Sequence, residues 1–144
     1  MRSTLDVKLK ILTAIHRTAF DLTRGRLAGR FAGMPVVKLT TTGRKSGKRR
    51  HTMLTTPIHD ATRIVLIASK GGAAQHPAWY VNLRTNPEVT VTMHGNTRTM
   101  TAQTATAAEK AALWPDIVAV HRGYAGYQDK TDREIPVVIL TPTD

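Results

Sequence analysis

The stretch PVVKLTTTGRKSGKRRHTMLTTPI, residues 35–58, decides how the rest of this chain is read. PVVKLTT reads as one strand, and RRHTMLTTPI reads as a second of mixed alternation. Between them Gly43 and Gly47 bracket Arg44, Lys45 and Ser46, so the backbone can turn tightly there. Six cations lie from Lys38 to Arg50 with no acid among them. Such a hairpin is either a solvated basic loop or the seat of something anionic.

The remaining composition narrows the field without deciding it. At 144 residues the chain is long enough to bury a core as one domain. It is 41% hydrophobic and 22% charged, which is ordinary globular composition. No apolar run reaches the roughly 20 residues that a membrane span needs. Cysteine is absent, which excludes disulfides, thiol catalysis and thiolate-bound metal. The net charge is +11, and its placement is informative. Residues 1–30 carry seven Lys or Arg against Asp6 and Asp21, and residues 31–50 carry six against none. Beyond Arg50, eight cations meet eight acids, so the whole excess sits in the first third of the chain.

Outward from the hairpin, the chain alternates strands with a few helices. Upstream, Leu5, Leu9, Leu12, Ile15, Ala19 and Leu22 recur at helical spacing with basic residues off the stripe. Ser3 and Asp6 stand at capping positions, and Gly25, Gly29 and Gly33 loosen the link to the first strand. The charges interrupting this stripe argue against a signal peptide. Downstream, RIVLIAS (residues 63–69) is a continuous apolar strand that predicts burial on both faces. PAWYVNLRTNP reads as a short helix with Pro77 in its first turn. EVTVTMHGNTRTMTAQTA is a hairpin turning at His94–Asn96. Thr106, with Glu109 three residues on, caps a helix that contains Pro115. A polar loop, GYAGYQDKTDRE, then leads to a last strand, IPVVILT. Six strands in mostly hairpin order with three helices predict a small α+β barrel.

Three segments are candidates for chemistry. The basic turn combines amides, a hydroxyl, a guanidinium and ammonium groups, a set suited to phosphate, but it lacks the spacing of a Walker A loop. IASKGG ends a buried strand in Ser69, Lys70 and two glycines, which suits either a ligand-facing loop or a plain turn. Tyr124 and Tyr127 in GYAGYQ could wall a planar ligand or cover the core. The six histidines show no metal-ligand spacing, so no metal site is expected. No nucleophile elbow, paired carboxylates or dinucleotide fingerprint appears, and any chemistry must come with a cofactor.

Taken in order, LTTTGRKSGKRR, IVLIASKGG, HPAWYVNLRTNPEVTV and YQDKTDREIPVVIL resemble the deazaflavin (F420)-dependent nitroreductase and quinone reductase family. The resemblance covers residues 35–142. It implies a six-stranded antiparallel split β-barrel over residues 34–144, preceded by a basic amphipathic helix and linker over residues 1–33, with two further helices. It implies coenzyme F420, a deazaflavin ring on a ribityl phosphate with a lactyl-oligoglutamate tail. A groove of Arg44, Lys45, Ser46, Lys48, Arg49 and Arg50 then has phosphate and carboxylates to neutralise. The resemblance places Thr52, Met53 and Leu54 along the ring, and Ala68, Ser69, Lys70 and Gly71 near ring and phosphate. Trp79 and Asn82 match a helix beside the site. The implied reaction is hydride transfer to a quinone, enone or nitroaromatic acceptor, with Tyr127 as hydrogen-bond donor and Tyr124 as a wall.

Two departures from the family pattern stand out. His121 replaces a tyrosine, and Met53-Leu54-Thr55 replaces Pro-Leu-Tyr. The substrate pocket of Thr55, His121, Tyr124 and Tyr127 therefore loses two rings and gains an imidazole able to donate a proton. Reduction of bicyclic nitroimidazoles is not expected of it. The competing readings are an FMN-binding reductase, a non-catalytic F420 carrier, and a basic protein that binds anionic surfaces. Nucleic acid is disfavoured, since aromatics are only 5% of residues and do not interleave with the basic cluster. The expected setting is cytoplasmic, with the N-terminal helix either packed on the barrel or peripheral on the inner face of the membrane. The oligomeric state stays open.

Overall fold

The structure is a computed structural model and describes residues 30–143 except residue 32. The amphipathic helix expected over residues 3–22 lies outside the described residues. Strand β1 (Arg30–Phe31) pairs with the start of β2 (Met34–Thr42) across Gly33, whose φ of +78° suits a residue without a side chain. The segment expected as linker thus ends in a short strand.

The expected hairpin is present. β2 pairs antiparallel with β3 (Arg49–Thr55) from Val36↔Thr55 to Thr42↔Arg49. Next along the chain come β4 (Ile58–His59), β5 (Ile64–Ile67), β6 (Glu88–Met93), β7 (Asn96–Thr104) and β8 (Val137–Pro142). The sheet runs β3-β2-β6-β7-β8-β5-β4, antiparallel throughout. Beside the two-residue β1 paired to β2, it holds seven strands where six were expected, and no ladder among the described residues closes it into a barrel.

The seventh strand arises at Thr56-Pro57, inside what reads as one strand. Pro57 has no N–H to give a ladder. The Thr56 amide donates instead to Pro35 O at 3.1 Å, and its hydroxyl reaches Ile58 O at 2.8 Å and Val65 O at 2.7 Å. The chain therefore leaves β2 and rejoins the sheet against β5. At the β4–β5 turn, Asp60 Oδ1 accepts from Thr62 N (2.7 Å), Thr62 Oγ1 (2.6 Å) and Arg63 N (3.1 Å).

All four residues of β5 are buried, as its unbroken apolar run predicts. Ile64 and Leu66 face the main core with Val37, Leu39, Val89, Val91, Met100, Val138 and Leu140. Val65 and Ile67 face a second core with Met34, Ile117, Tyr124, Ile135 and Val137. Each such side chain stabilises the fold by roughly 1.5–3 kcal/mol when fully buried.

Three helices cover these cores. Helix α1 (Ala78–Thr85) starts after Pro77, which sits at the cap and not inside the first turn, and drives Trp79, Tyr80 and Leu83 into the main core. Helix α2 (Ala107–Val120) opens on the expected capping box: Thr106 Oγ1 accepts from Glu109 N at 3.1 Å while Glu109 Oε1 accepts from Thr106 N at 2.9 Å. Helix α3 (Gly123–Asp129) occupies what reads as a polar loop. Tertiary contacts hold it: Lys110 Nζ donates to Gln128 Oε1 at 3.0 Å, to Glu134 Oε1 at 2.6 Å and to Ile135 O at 2.7 Å. Gln128 Nε2 in turn donates to Arg133 O at 2.9 Å.

Candidate functional site

The basic turn is tightly built. Gly43 N donates to Lys48 O at 2.7 Å and Gly47 N to Gly43 O at 2.9 Å, while Ser46 Oγ accepts from Lys48 N at 3.1 Å. The turn is close-packed at Gly43, where a Cβ would lie 2.8 Å from Ser46 Oγ and 3.3 Å from Lys48 O. Ser46 is therefore engaged inside the turn. Arg44, Lys45, Lys48 and Arg50 all stand exposed around it.

Asn82 ties the turn to α1. Its Oδ1 accepts from Arg44 N at 3.2 Å and from Arg44 Nη1 at 3.0 Å, and its Nδ2 donates to Thr41 Oγ1 at 3.3 Å. Asn82 is buried, so one amide side chain fixes the start of the turn and aims one of its cations.

Strand β3 divides the remaining candidates between its two faces, because successive side chains alternate. Arg50 lies opposite Thr41, Thr52 opposite Leu39, and Leu54 opposite Val37 and packed on the main core. Arg50 and Thr52 thus share the face of Asn82 and the basic turn. Arg49 departs from the groove it was expected to join: Arg49 Nη2 donates to Thr90 Oγ1 at 2.7 Å on the reverse face. His51 is on that face too, its Nδ1 2.8 Å from Thr40 Oγ1. Met53 is buried against Val36, and Thr55 Oγ1 lies 3.3 Å from Tyr124 Oη. Of the residues expected along the ring or near it, Met53 and Ala68 have buried side chains, and Trp79, expected on the helix beside the site, is buried in the main core.

After β5 the chain makes a single 3-10 turn, Lys70–Gly72, in which three consecutive residues are left-handed: Lys70 (φ 46°), Gly71 (φ 65°) and Gly72 (φ 84°). Gly72 lets the turn lie against α3, since a Cβ there would meet Tyr127 O at 2.8 Å and Lys130 Cβ at 2.9 Å. Lys130 Nζ sits 5.7 Å from the Tyr127 ring centroid. The two segments IASKGG and GYAGYQ, far apart in sequence, are neighbours.

His121, Tyr124 and Tyr127 form one ring cluster. His121 stacks edge-on to Tyr124 at 5.1 Å and lies 6.4 Å from Tyr127, and the two tyrosines are 6.1 Å apart. Tyr124 is buried, with its hydroxyl 3.8 Å from Met34 Sδ as well as beside Thr55. Burial, set against the Thr55 hydrogen bond, pushes its hydroxyl above the usual tyrosine range. Tyr127 and His121 are half-buried.

Arg133 is the site's unanticipated member. Its guanidinium donates to Ala73 O (2.8 Å), Ala68 O (3.2 Å) and Ser69 O (2.8 Å), and lies 3.1 Å from His76 Nδ1. These partners are 57–65 residues away in sequence, so no local pattern marks it. His76 also stands edge-on to Tyr80 at 5.0 Å. Burial first, then the cations Arg133 and Arg84, hold the His76 imidazole below its ordinary 6.5. It is therefore neutral at pH 7, with Nδ1 free of a proton and able to accept from Arg133.

No group of three or more His, Asp or Glu among the described residues could hold a metal ion. No helix among them is long and apolar enough to cross a membrane.

Comparison with known proteins identifies the family of this chain. The chain is similar to an F420H(2)-dependent quinone reductase of Mycobacterium tuberculosis, 35% identical over 134 residues that cover 90% of this chain and 89% of the relative. It is also similar to the solved F420-H2 dependent reductase FDR-A, with 40% identity, a TM-score of 0.66, and coverage of 74% of this chain and 93% of that one. A second solved chain, a domain-swapped dimer, is 34% identical at a TM-score of 0.67, covering 89% of this chain and 99% of its own. The profile of one family matches residues 12–142. This chain belongs to the F420H(2)-dependent quinone reductase family.

Proposed function

We propose that this protein reduces a quinone at the expense of reduced coenzyme F420, on a split-barrel scaffold. The observation that carries the reading is a set of three parts, the last two of which pack on each other. They are an acid-free basic turn anchored by Asn82, a glycine turn at Lys70–Gly72, and a helix bearing Tyr124 and Tyr127 packed on that turn.

The residues present fit the cofactor. Arg44, Lys45, Lys48 and Arg50 offer exposed positive charge for a phosphate and a polyglutamate tail, and Thr52 continues that face along β3. The left-handed backbone at Lys70–Gly72, with Ser69 before it, lets main chain approach a flat ring. When bound, the reduced deazaflavin supplies the hydride. Asn82 orients Arg44, and Tyr124, buried in the second core and held by Thr55, backs the wall that Tyr127 and His121 present to the acceptor. The Tyr124 hydroxyl is neutral at pH 7, as an ordinary tyrosine is, and burial raises it further, so it adds no repulsion toward charge developing on the acceptor. Tyr127 Oη donates a hydrogen bond to the acceptor oxygen, and His121 delivers a proton as that oxygen becomes negative. Enones are acceptors of the same kind. Bicyclic nitroimidazoles fit less well, because Thr55 and His121 leave two rings fewer to stack on.

The test is titration of the purified protein with F420 and, separately, FMN, followed by addition of menadione to the reduced complex. Tight F420 binding, weak FMN binding and reoxidation by menadione support the reading. Binding without reoxidation indicates a carrier, and preference for FMN or for neither cofactor overturns the proposal. For His121, an alanine variant whose turnover and pH profile match wild type removes it from the reaction. The similarity to a domain-swapped dimer supports a dimeric assembly, which light scattering tests. Peripheral membrane contact through residues 3–22 is tested by co-sedimentation with anionic vesicles, comparing full chain with a version lacking that segment.

A further inference from the structure

We infer that Arg133 is the positioning residue that fixes the Ala68–Ala73 segment in its ligand-receiving form and sets its distance from the Tyr127 helix. The inference deepens the F420 reading and rests on it for the identity of the ligand.

The segment needs outside support. Gly71 and Gly72 take left-handed backbone freely, but the non-glycine Lys70 is disfavoured there unless the surroundings over-determine it. Within the segment, Gly72 N donates to Ser69 O at 2.9 Å and Ala73 N to Lys70 O at 3.1 Å. Arg133 adds three bonds from outside, drawing the carbonyls of Ala68, Ser69 and Ala73 onto one planar fork. Lysine reproduces this only in part, since its three donors radiate from one nitrogen and lack the spread, planar fork that spans these carbonyls. The carbonyls thereby turn inward to the guanidinium.

Arg133 is itself held from α3 and α2. Its carbonyl accepts from Gln128 Nε2, and Gln128 Oε1 accepts from both Lys110 Nζ and Ile135 N. The Gly72–Tyr127 contact closes the same circuit from the other side. Because one side chain joins the turn to the segment after α3, the separation between the glycine turn and the tyrosines is fixed before any ligand arrives.

The test compares wild type with Arg133→Met and Arg133→Lys in the full chain. Amide exchange over residues 68–76 is measured without ligand, and F420 affinity by fluorescence titration. For Arg133→Met we expect at least about tenfold faster exchange confined to that segment, and at least about tenfold weaker F420 binding. Arg133→Lys should fall between, and decides the matter alone if the methionine variant does not fold. Exchange and affinity equal to wild type in a folded variant overturn the inference. If wild type itself fails to bind F420, the cofactor reading falls, while the exchange measurement still decides what Arg133 does.

Discussion

Asn82 offers the sharpest test of the basic turn. In Asn82→Ala, Arg44 loses two hydrogen bonds and Thr41 loses one, at 3.0, 3.2 and 3.3 Å. A neutral hydrogen bond contributes about 1 kcal/mol net, and one to a charged group more. Arg44 is exposed, however, so water replaces much of the guanidinium bond. The loss to stability should total about 2 kcal/mol, which for a domain of this size lowers Tm by roughly 6–8 °C. F420 affinity should fall together with it, because the turn no longer holds Arg44 in place. Asn82→Asp separates the two effects. Its carboxylate still accepts from Arg44 and from the Thr41 hydroxyl, so stability should stay within about 1 kcal/mol of wild type. The same carboxylate brings negative charge into the turn, and anion affinity should fall about tenfold, most strongly at low salt. Thermal melts and F420 titrations at two ionic strengths check both. An alanine variant that melts and binds like wild type refutes the anchoring, and an aspartate variant with undiminished affinity refutes the turn as an anion site.

The same geometry yields further outcomes. The imidazole of His76 is held below 6.5, so its contribution to stability is complete above about pH 6.5 and is lost as pH falls toward the lower folded value. Denaturation midpoints from pH 8 to 5 should therefore decline less steeply in His76→Gln, which still accepts from Arg133 but does not titrate; parallel curves would contradict this. Thr56→Val removes the hydroxyl that reaches Ile58 O and Val65 O at the strand break, and should cost about 1–2 kcal/mol in a urea melt. Gly72→Ala should weaken F420 binding, since its Cβ would meet Tyr127 O, and the melting temperature should drop as well. Tyr124→Phe loses only the contacts to Thr55 and Met34; as a wall it should keep most turnover, and a hundredfold loss would instead make it a proton donor.

Where local pattern and packing agree, the sequence was sufficient. The β2–β3 hairpin is explained by two strand runs around paired glycines, the doubly buried β5 by an unbroken apolar run, and the start of α2 by Thr106 and Glu109. Helix α3 was hidden because GYAGYQD holds two glycines and two tyrosines, poor helix formers that only Lys110, Gln128 and the Gly72 contact keep helical. The split into β3 and β4 was hidden because the hydroxyl bonds of Thr56 join residues that do not look related. Of the site, the cations and the two glycine-bearing segments were legible as chemistry. The packing of those two segments on each other was not, nor was Arg133, because its partners lie on a turn some sixty residues earlier.

One consequence of the way β3 alternates concerns how such a protein can change. Arg50 and Thr52 share the face of the basic turn, while on the other face Met53 packs on Val36 and Thr55 looks toward Tyr124. On the proposed reading, substitution at Thr55 therefore reshapes what the protein reduces while leaving the grip on the anionic partner alone, and the reverse holds at Arg50. New acceptors can be explored one residue at a time without abandoning the electron donor. A single-residue deletion in the same strand has no such freedom: it exchanges the two faces and removes both abilities in one event.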